Sequence, residues 1–153
     1  LVDILDVIPP SKTGLREPLL AIIPELAESL VQTQDGTGVW FQIMDMPDEP
    51  GNYREATATA MFTYFLAKAI NKGYLPESYK PAAEKAYAGL VNEFVSVYAD
   101  GSFHLTNNCE VGGLGYGRDG SYRYYMSEPV VENDPKGLAP AIMAGIQVSE
   151  LEN

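Results

Sequence analysis

From Ala56 to Ala67 the chain runs for twelve residues without a single charge. Met61, Phe62, Tyr64, Phe65 and Leu66 within that run cover more than one side of a helix. A helix that is apolar around most of its circumference has to be enclosed by other protein. It is also too short to cross a bilayer, which takes ~20 apolar residues. The spacing predicts a helix over Glu55–Lys72, stopped by Gly73. The last helix, expected over about Gly137–Leu151, has the same character and stays uncharged until Glu150. Two buried helices of this kind demand a layer of partners.

The partners are amphipathic. From Pro18, a residue suited to a first helical turn, Leu19, Ile22, Ile23, Leu26 and Leu30 recur at three- and four-residue spacings, and Glu25, Glu28 and Gln32 mark the opposite face. This helix is expected to end near Gln34. A third helix is expected over about Ser78–Val97, with Ala82, Ala83, Ala86, Leu90 and Phe94 on one side and Glu84, Lys85, Asn92 and Glu93 on the other. Asp-Gly turns at Asp35 and Asp100 follow the two amphipathic helices, and each leads into a strand-like run, Val39–Ile43 and Ser102–Thr106. The order amphipathic helix, Asp-Gly, short strand, loop, apolar helix therefore occurs twice, over about 18–72 and 78–151. Leu1 to Ile8 reads as the tail of a further helix, closed by Pro9-Pro10. Repeated units that cannot bury their own faces stack. The pattern predicts an all-α fold of α/α hairpins in two layers, a solenoid or closed toroid, with the 153 residues as one unit. A four-helix bundle with decorated loops fits the periodicity alone. Since two hairpins leave the charge-free helices under-covered, further repeats or self-association are expected.

Charge narrows the partners. Ten basic residues against 21 acidic ones give a formal charge of −11, a field that repels phosphate backbones, and no basic cluster interrupts it. One cysteine, Cys109, forbids an internal disulfide, and one histidine, His104, leaves no His- or Cys-rich metal set. Gly115-Tyr116-Gly117-Arg118-Asp119-Gly120 fits G-x-G-x-x-G, but no apolar strand precedes it and no helix pattern follows, so a dinucleotide loop is rejected. The opening Leu1-Val2-Asp3 has neither Met nor the layout of a signal peptide, as expected of an excerpt from a longer gene product.

In a two-layer repeat, the loops entering the inner helices lie at one end. That places Tyr53, Arg54 and Glu55 with Asn133, Asp134 and Lys136, at two positive helix starts that favour anions. Arg54, Arg118, Arg123 and Lys136 are the cations available to an acidic ligand. Trp40, Tyr53 and the tyrosines of the 107–135 loop offer flat faces of the kind sugar rings stack on, although strand packing uses the same residues. Glu55 and Asp134 are equally suited to helix capping. Cleaving a glycosidic bond normally takes two carboxyl groups, and Glu55, Asp119, Glu128, Glu132 and Asp134 are of the right type. None has a local setting that marks it as a proton donor, so no catalytic residue is assigned.

Several blocks together resemble the unsaturated rhamnogalacturonyl hydrolases and the related unsaturated glucuronyl hydrolases. These are Gly38-Val39-Trp40-Phe41-Gln42-Ile43, Gly51-Asn52-Tyr53-Arg54-Glu55-Ala56-Thr57-Ala58-Thr59-Ala60-Met61, Arg118-Asp119-Gly120-Ser121-Tyr122-Arg123-Tyr124-Tyr125 and Asn133-Asp134-Pro135-Lys136-Gly137. Phe41 stands where Tyr is usual, and Ala56, Thr57 and Thr59 occupy a Ser/Gly-rich stretch. The resemblance implies a portion of an (α/α)6 toroid of six hairpins. It implies removal of a 4,5-unsaturated uronic acid from oligosaccharides made by polysaccharide lyases, with an aspartic acid protonating the vinyl-ether double bond and water adding to the ring. No metal or organic cofactor is implied. The blocks match the C-terminal part of the family, whose catalytic aspartates normally precede the position of Leu1. A non-catalytic carbohydrate-binding module, or another toroid lyase or glycosidase, would use the same surface. Trp40, Tyr53, Arg54, Glu55, Arg118, Asn133, Asp134 and Lys136 are the expected substrate-binding residues.

Overall fold

The computed structural model describes residues 1–151. Its helices are α1 (Val2–Val7), α2 (Thr13–Thr33), α3 (Ala56–Asn71), α4 (Lys80–Phe94), α5 (Tyr122–Tyr125) and α6 (Pro135–Glu150), and a 3-10 turn at Glu77–Tyr79 leads into α4. Strands β1 (Val95–Val97) and β2 (Phe103–Leu105) form one antiparallel pair, and β3 (Asn108–Cys109) and β4 (Val130–Val131) form another.

Helix α3 is the centre of the molecule and packs chiefly against α6 and α4. Ala56, Thr59, Ala60, Thr63, Phe65, Leu66, Ala67, Ala69 and Ile70 are all buried, as its lack of charge requires. Ile23, Ala27 and Leu30 of α2 and Ala83 and Ala86 of α4 complete one core with it, around Trp40. A second core joins Val39, Ala56 and Ala60 to Leu90, Phe94 and Leu105. Helix α6 is under-covered, as two hairpins alone would leave it. It buries Gly137, Ala144 and Val148 against the rest, but Ile142, Met143 and Ile146 stay exposed because no described element reaches that side.

Three boundaries also differ from the sequence reading. Helix α2 begins at Thr13 and carries Pro18 and Pro24 inside it. Both prolines are on the exposed side, where carbonyls that lose an amide partner can meet water. The end of the expected third helix is instead β1. Val95, Ser96 and Val97 alternate in strand fashion and pair with Leu105, His104 and Phe103 across the Asp100-Gly101 turn. Gly101 holds that turn at φ 84°, and the Asp100 carboxylate accepts the Ser102 amide at 2.9 Å. The run Val39–Ile43 makes no strand, only a single bridge between Phe41 and Arg54. Two of its residues, Val39 and Trp40, are wholly buried, so its apolar pattern came from core packing.

Helix α1 is held to α3 by charge. Lys68, itself buried, contacts Asp3, lies 2.7 Å from Asp6, and donates to the Tyr64 hydroxyl oxygen at 3.1 Å. Burial alone would raise the Asp3 carboxyl, but hydrogen bonds from Lys68 and Tyr64 outweigh it and hold Asp3 below its ordinary range. Asp6 is lowered by Lys68 and Lys72. Burial alone would lower Lys68, but its bonds to Asp3, Asp6 and Tyr64 raise it. Depressed carboxylates contribute stability above their unfolded values and lose it as pH falls through the folded ones. A raised lysine loses its contribution on the alkaline side. Protection of the α1 amides, after correction for the intrinsic pH dependence of exchange, is therefore expected to fall below about pH 4 and again above about pH 10, with its maximum between. Lys68→Met is expected to flatten the acid limb and to cost roughly 1–2 kcal/mol of stability, screened because both aspartates reach solvent.

Candidate functional site

The starts of α3 and α6 lie side by side, joined by a residue that the sequence reading passed over. Asn108 is completely buried. Its side-chain amide donates to the carbonyls of Leu105 at 2.8 Å and Val131 at 3.2 Å, and its oxygen accepts the Thr57 hydroxyl of α3 at 3.2 Å. The same oxygen presses on the bare Cα of Gly137 in the first turn of α6. Asn133, in the left-handed region at φ 57°, donates its amide to Leu105 O at 2.9 Å and accepts the Leu105 amide on its side chain at 3.0 Å. These bonds fix the two helix starts at one end.

A cleft of about 310 Å³ opens over that junction, lined by Gln42, Glu55, Thr57, Met61, Cys109 and Lys136 among others. Glu55 is 2 % exposed and caps α3. One carboxylate oxygen accepts the Ala58 amide at 2.5 Å and the other the Cys109 amide at 2.9 Å. Both oxygens are thus engaged by backbone N–H groups, the arrangement in which a buried carboxylate is satisfied as an anion. Gln42 donates to the Cys109 sulfur at 3.5 Å. The Tyr53 hydroxyl is buried beside the same sulfur and, among the described residues, finds no partner with hydrogen-bond geometry. Burial, reinforced by Cys109, Glu55 and Glu128, raises the phenol above the ordinary tyrosine range, so it stays protonated.

Asp134 caps α6 by accepting the Lys136 amide at 2.8 Å and pairs with the Lys136 ammonium at 2.6 Å. The lysine's hydrogen bond holds the Asp134 carboxyl below its ordinary range. The Lys136 side chain is half exposed and lines the cleft.

Other expected residues are occupied elsewhere. Trp40 offers no face to solvent: it is wholly buried, its indole N–H donates to Leu30 O at 2.8 Å, and Phe62 meets it edge-on at 5.3 Å. Its role is packing. Arg54 turns away from the cleft. Its guanidinium lies 2.6 Å from Asp35 and 3.4 Å from Glu93, above the Phe41 ring. Arg118 pairs with Glu128 at 3.5 Å in the glycine-rich loop, and Asn133 bonds Leu105 and His104. Of the eight residues expected to bind substrate, Glu55 and Lys136 are brought together on the cleft wall, with Tyr53 and Asp134 immediately behind them. Gln42, Thr57, Met61 and Cys109 were missed as wall residues. Cys109 has no basic neighbour in sequence to mark it, and a strand pairing of two residues leaves no periodic signal that could have placed it. The loop rejected as a dinucleotide site is a tight turn, with Gly115 and Gly117 at φ 86° and 87° and the four-residue α5 after it. Among the described residues no group of His, Cys, Asp and Glu could hold a metal ion, and no helix is long and apolar enough to cross a membrane.

Comparison with known proteins places this arrangement. A structure described as a glycoside hydrolase from family 105 of Clostridium acetobutylicum ATCC 824 superimposes with a TM-score of 0.92 at 41 % identity, over 97 % of this chain and 42 % of the other. A possible family 105 member from Klebsiella pneumoniae gives 0.71 at 28 %, over 99 % and 35 %. A 24.9 kDa protein in the picA locus of Rhizobium radiobacter is 36 % identical over 155 residues, and this chain spans 64 % of its length. The profile of Glycosyl Hydrolase Family 88 matches residues 1–152, nearly the whole chain. The chain belongs to Glycosyl Hydrolase Family 88.

Proposed function

We propose that this chain forms part of the substrate cleft of a glycoside hydrolase that removes a 4,5-unsaturated uronic acid from the non-reducing end of lyase-generated oligosaccharides. Membership of the family supports a glycosidase. The observation that carries the finer reading is a cation in the cleft. Lys136 lines the cleft together with apolar and neutral polar groups and the capping carboxylate of Glu55, whose oxygens are already taken by backbone N–H groups, and this suits a sugar ring bearing one carboxylate.

The chemistry differs from direct displacement. A carboxylic acid protonates the vinyl-ether double bond, water adds to the resulting oxocarbenium carbon, and the hemiketal so formed opens with loss of the aglycone. The acid must be protonated before the step and within hydrogen-bond reach of the carbon. The carboxylates described beside the cleft are poorly set for that. Both Glu55 oxygens are already taken by the Ala58 and Cys109 amides, and Asp134 is held low by Lys136. Asp119 is likewise held low by the Ser121 backbone amide. Aspartates in the part of the family fold beyond these 153 residues would supply the proton, and further hairpins would cover Ile142, Met143 and Ile146 and close the toroid. This chain spans only 42 % of the Clostridium structure, which leaves ample length for both.

Turnover in deuterated water tests the route. The released 4-deoxy keto acid should carry one solvent deuterium at C4. A product that keeps its double bond would mean ordinary hydrolysis at the anomeric carbon and would overturn the reading.

A further inference from the structure

Four cations were available to an acidic ligand, and the structure separates them. Arg54 is engaged by Asp35 and Glu93, and Arg118 by Glu128. Arg123 lines a different depression, in the 117–127 loop. Lys136 alone of the four lines the cleft over the α3–α6 junction. Its partner Asp134 occupies one of three ammonium donors, and because the side chain is half exposed the other two are open to a ligand. The other wall groups, the Gln42 amide, the Thr57 hydroxyl and the Cys109 thiol, are neutral partners for hydroxyls. The carboxylate on the wall, Glu55, has both oxygens turned to backbone N–H groups, so it is engaged with the helix start rather than with a ligand.

We infer that Lys136 is the residue that reads the uronate carboxylate, with Asp134 as a positioning residue that holds the ammonium at the cleft wall. This rests on the uronyl reading above and adds the group that enforces it. In a protein of charge −11, one fixed cation at the site is what distinguishes a uronic acid from the neutral sugar of the same shape. An Arg in this place would keep the charge. A Gln would keep a donor and lose it.

The test is a titration of the ¹⁵N-labelled 153-residue chain with unsaturated digalacturonate and, separately, with neutral galactobiose. The uronate should shift the amides of Ala58, Gly112 and Lys136, and its affinity should fall as salt rises. Lys136→Gln should weaken uronate binding by about tenfold and leave galactobiose unchanged, whereas Lys136→Arg should stay within about threefold. Because Lys136 is exposed, the circular dichroism spectra of both variants should match the parent. Equal affinity for the two sugars, no uronate-dependent shift at the cleft, or an unaltered Lys136→Gln would each overturn the assignment. Failure of the deuterium experiment with these shifts intact would sink the hydrolase reading while leaving Lys136 in its role. Successful turnover with Lys136→Gln unimpaired would do the reverse.

Discussion

Gly137→Ala should destabilise the protein by about 2–4 kcal/mol, although alanine in a helix is normally the better residue by about 1 kcal/mol. Gly137 is buried in the first turn of α6, and a Cβ there would enter the space of the Asn108 side-chain oxygen and sit 3.1 Å from the Thr57 hydroxyl. Neither neighbour can yield. Asn108 is pinned by the Leu105 and Val131 carbonyls, and Thr57 belongs to the first turn of α3. Relief requires α6 to move away from α3, which opens the largest helix contact in the molecule. Urea denaturation gives the stability change. Uronate-dependent shifts at the cleft should be lost in the same variant, since the cleft is the gap between those two helix starts. Gly145→Ala provides a graded comparison farther along α6, where the added methyl would meet the hydroxyl end of Tyr87 at 2.6 Å, which can swing. Its cost should be smaller and its effect on the cleft absent.

Trp40→Ala should cost about 3–5 kcal/mol, the range for emptying a fully enclosed aromatic site. Trp40→Phe should cost roughly 2 kcal/mol, because the smaller ring leaves a gap and orphans the Leu30 carbonyl that the indole N–H now satisfies. Trp40 is the chain's single tryptophan, so its emission reports the folded state directly. It should be blue-shifted and protected from quenchers. Titrating unsaturated digalacturonate should leave it unchanged, since the ring packs on Phe62 rather than in the cleft. A fluorescence change of the stacking kind would return Trp40 to the binding site.

The contrast between the Trp40 and Lys136 outcomes shows where sequence was sufficient. The charge-free run of α3 fixed its burial, and the paired helix starts followed from the twofold order of elements, because both depend on patterns longer than a helical turn. Helix α1 and the Asp100-Gly101 turn were legible from local residue types, an apolar run closed by Pro9-Pro10 and an Asp-Gly pair. Residue type alone could not tell a stacking tryptophan from a core one, since both are large, flat and near a turn. Arg54 was equally ambiguous. Its partner Asp35 is nineteen residues away, brought close only because the Asp35–Gly38 turn folds back over α4, where Gly38 at φ 99° packs on the Lys85 backbone. Val95–Val97 continued the apolar register of α4, and only pairing with Phe103–Leu105 decided for strand. Asn108 left no trace at all. A lone asparagine in a loop becomes the junction of two helices only once four separate segments have met.

If these residues build one wall of an unsaturated uronyl hydrolase, one assay separates the whole protein from this chain. The protein carrying this chain together with the rest of the family domain should consume the double bond of unsaturated digalacturonate, seen as a fall in near-ultraviolet absorbance. The isolated 153 residues should bind the sugar without consuming it. In the whole protein, replacing Glu55, Asp119 or Asp134 by the matching amide should weaken binding or folding without abolishing the fall. Rapid loss of absorbance with the isolated chain, removed by one of those three replacements, would mean that the proton donor lies among the carboxylates that cap helices and close turns, and that this chain is not merely a wall of the site.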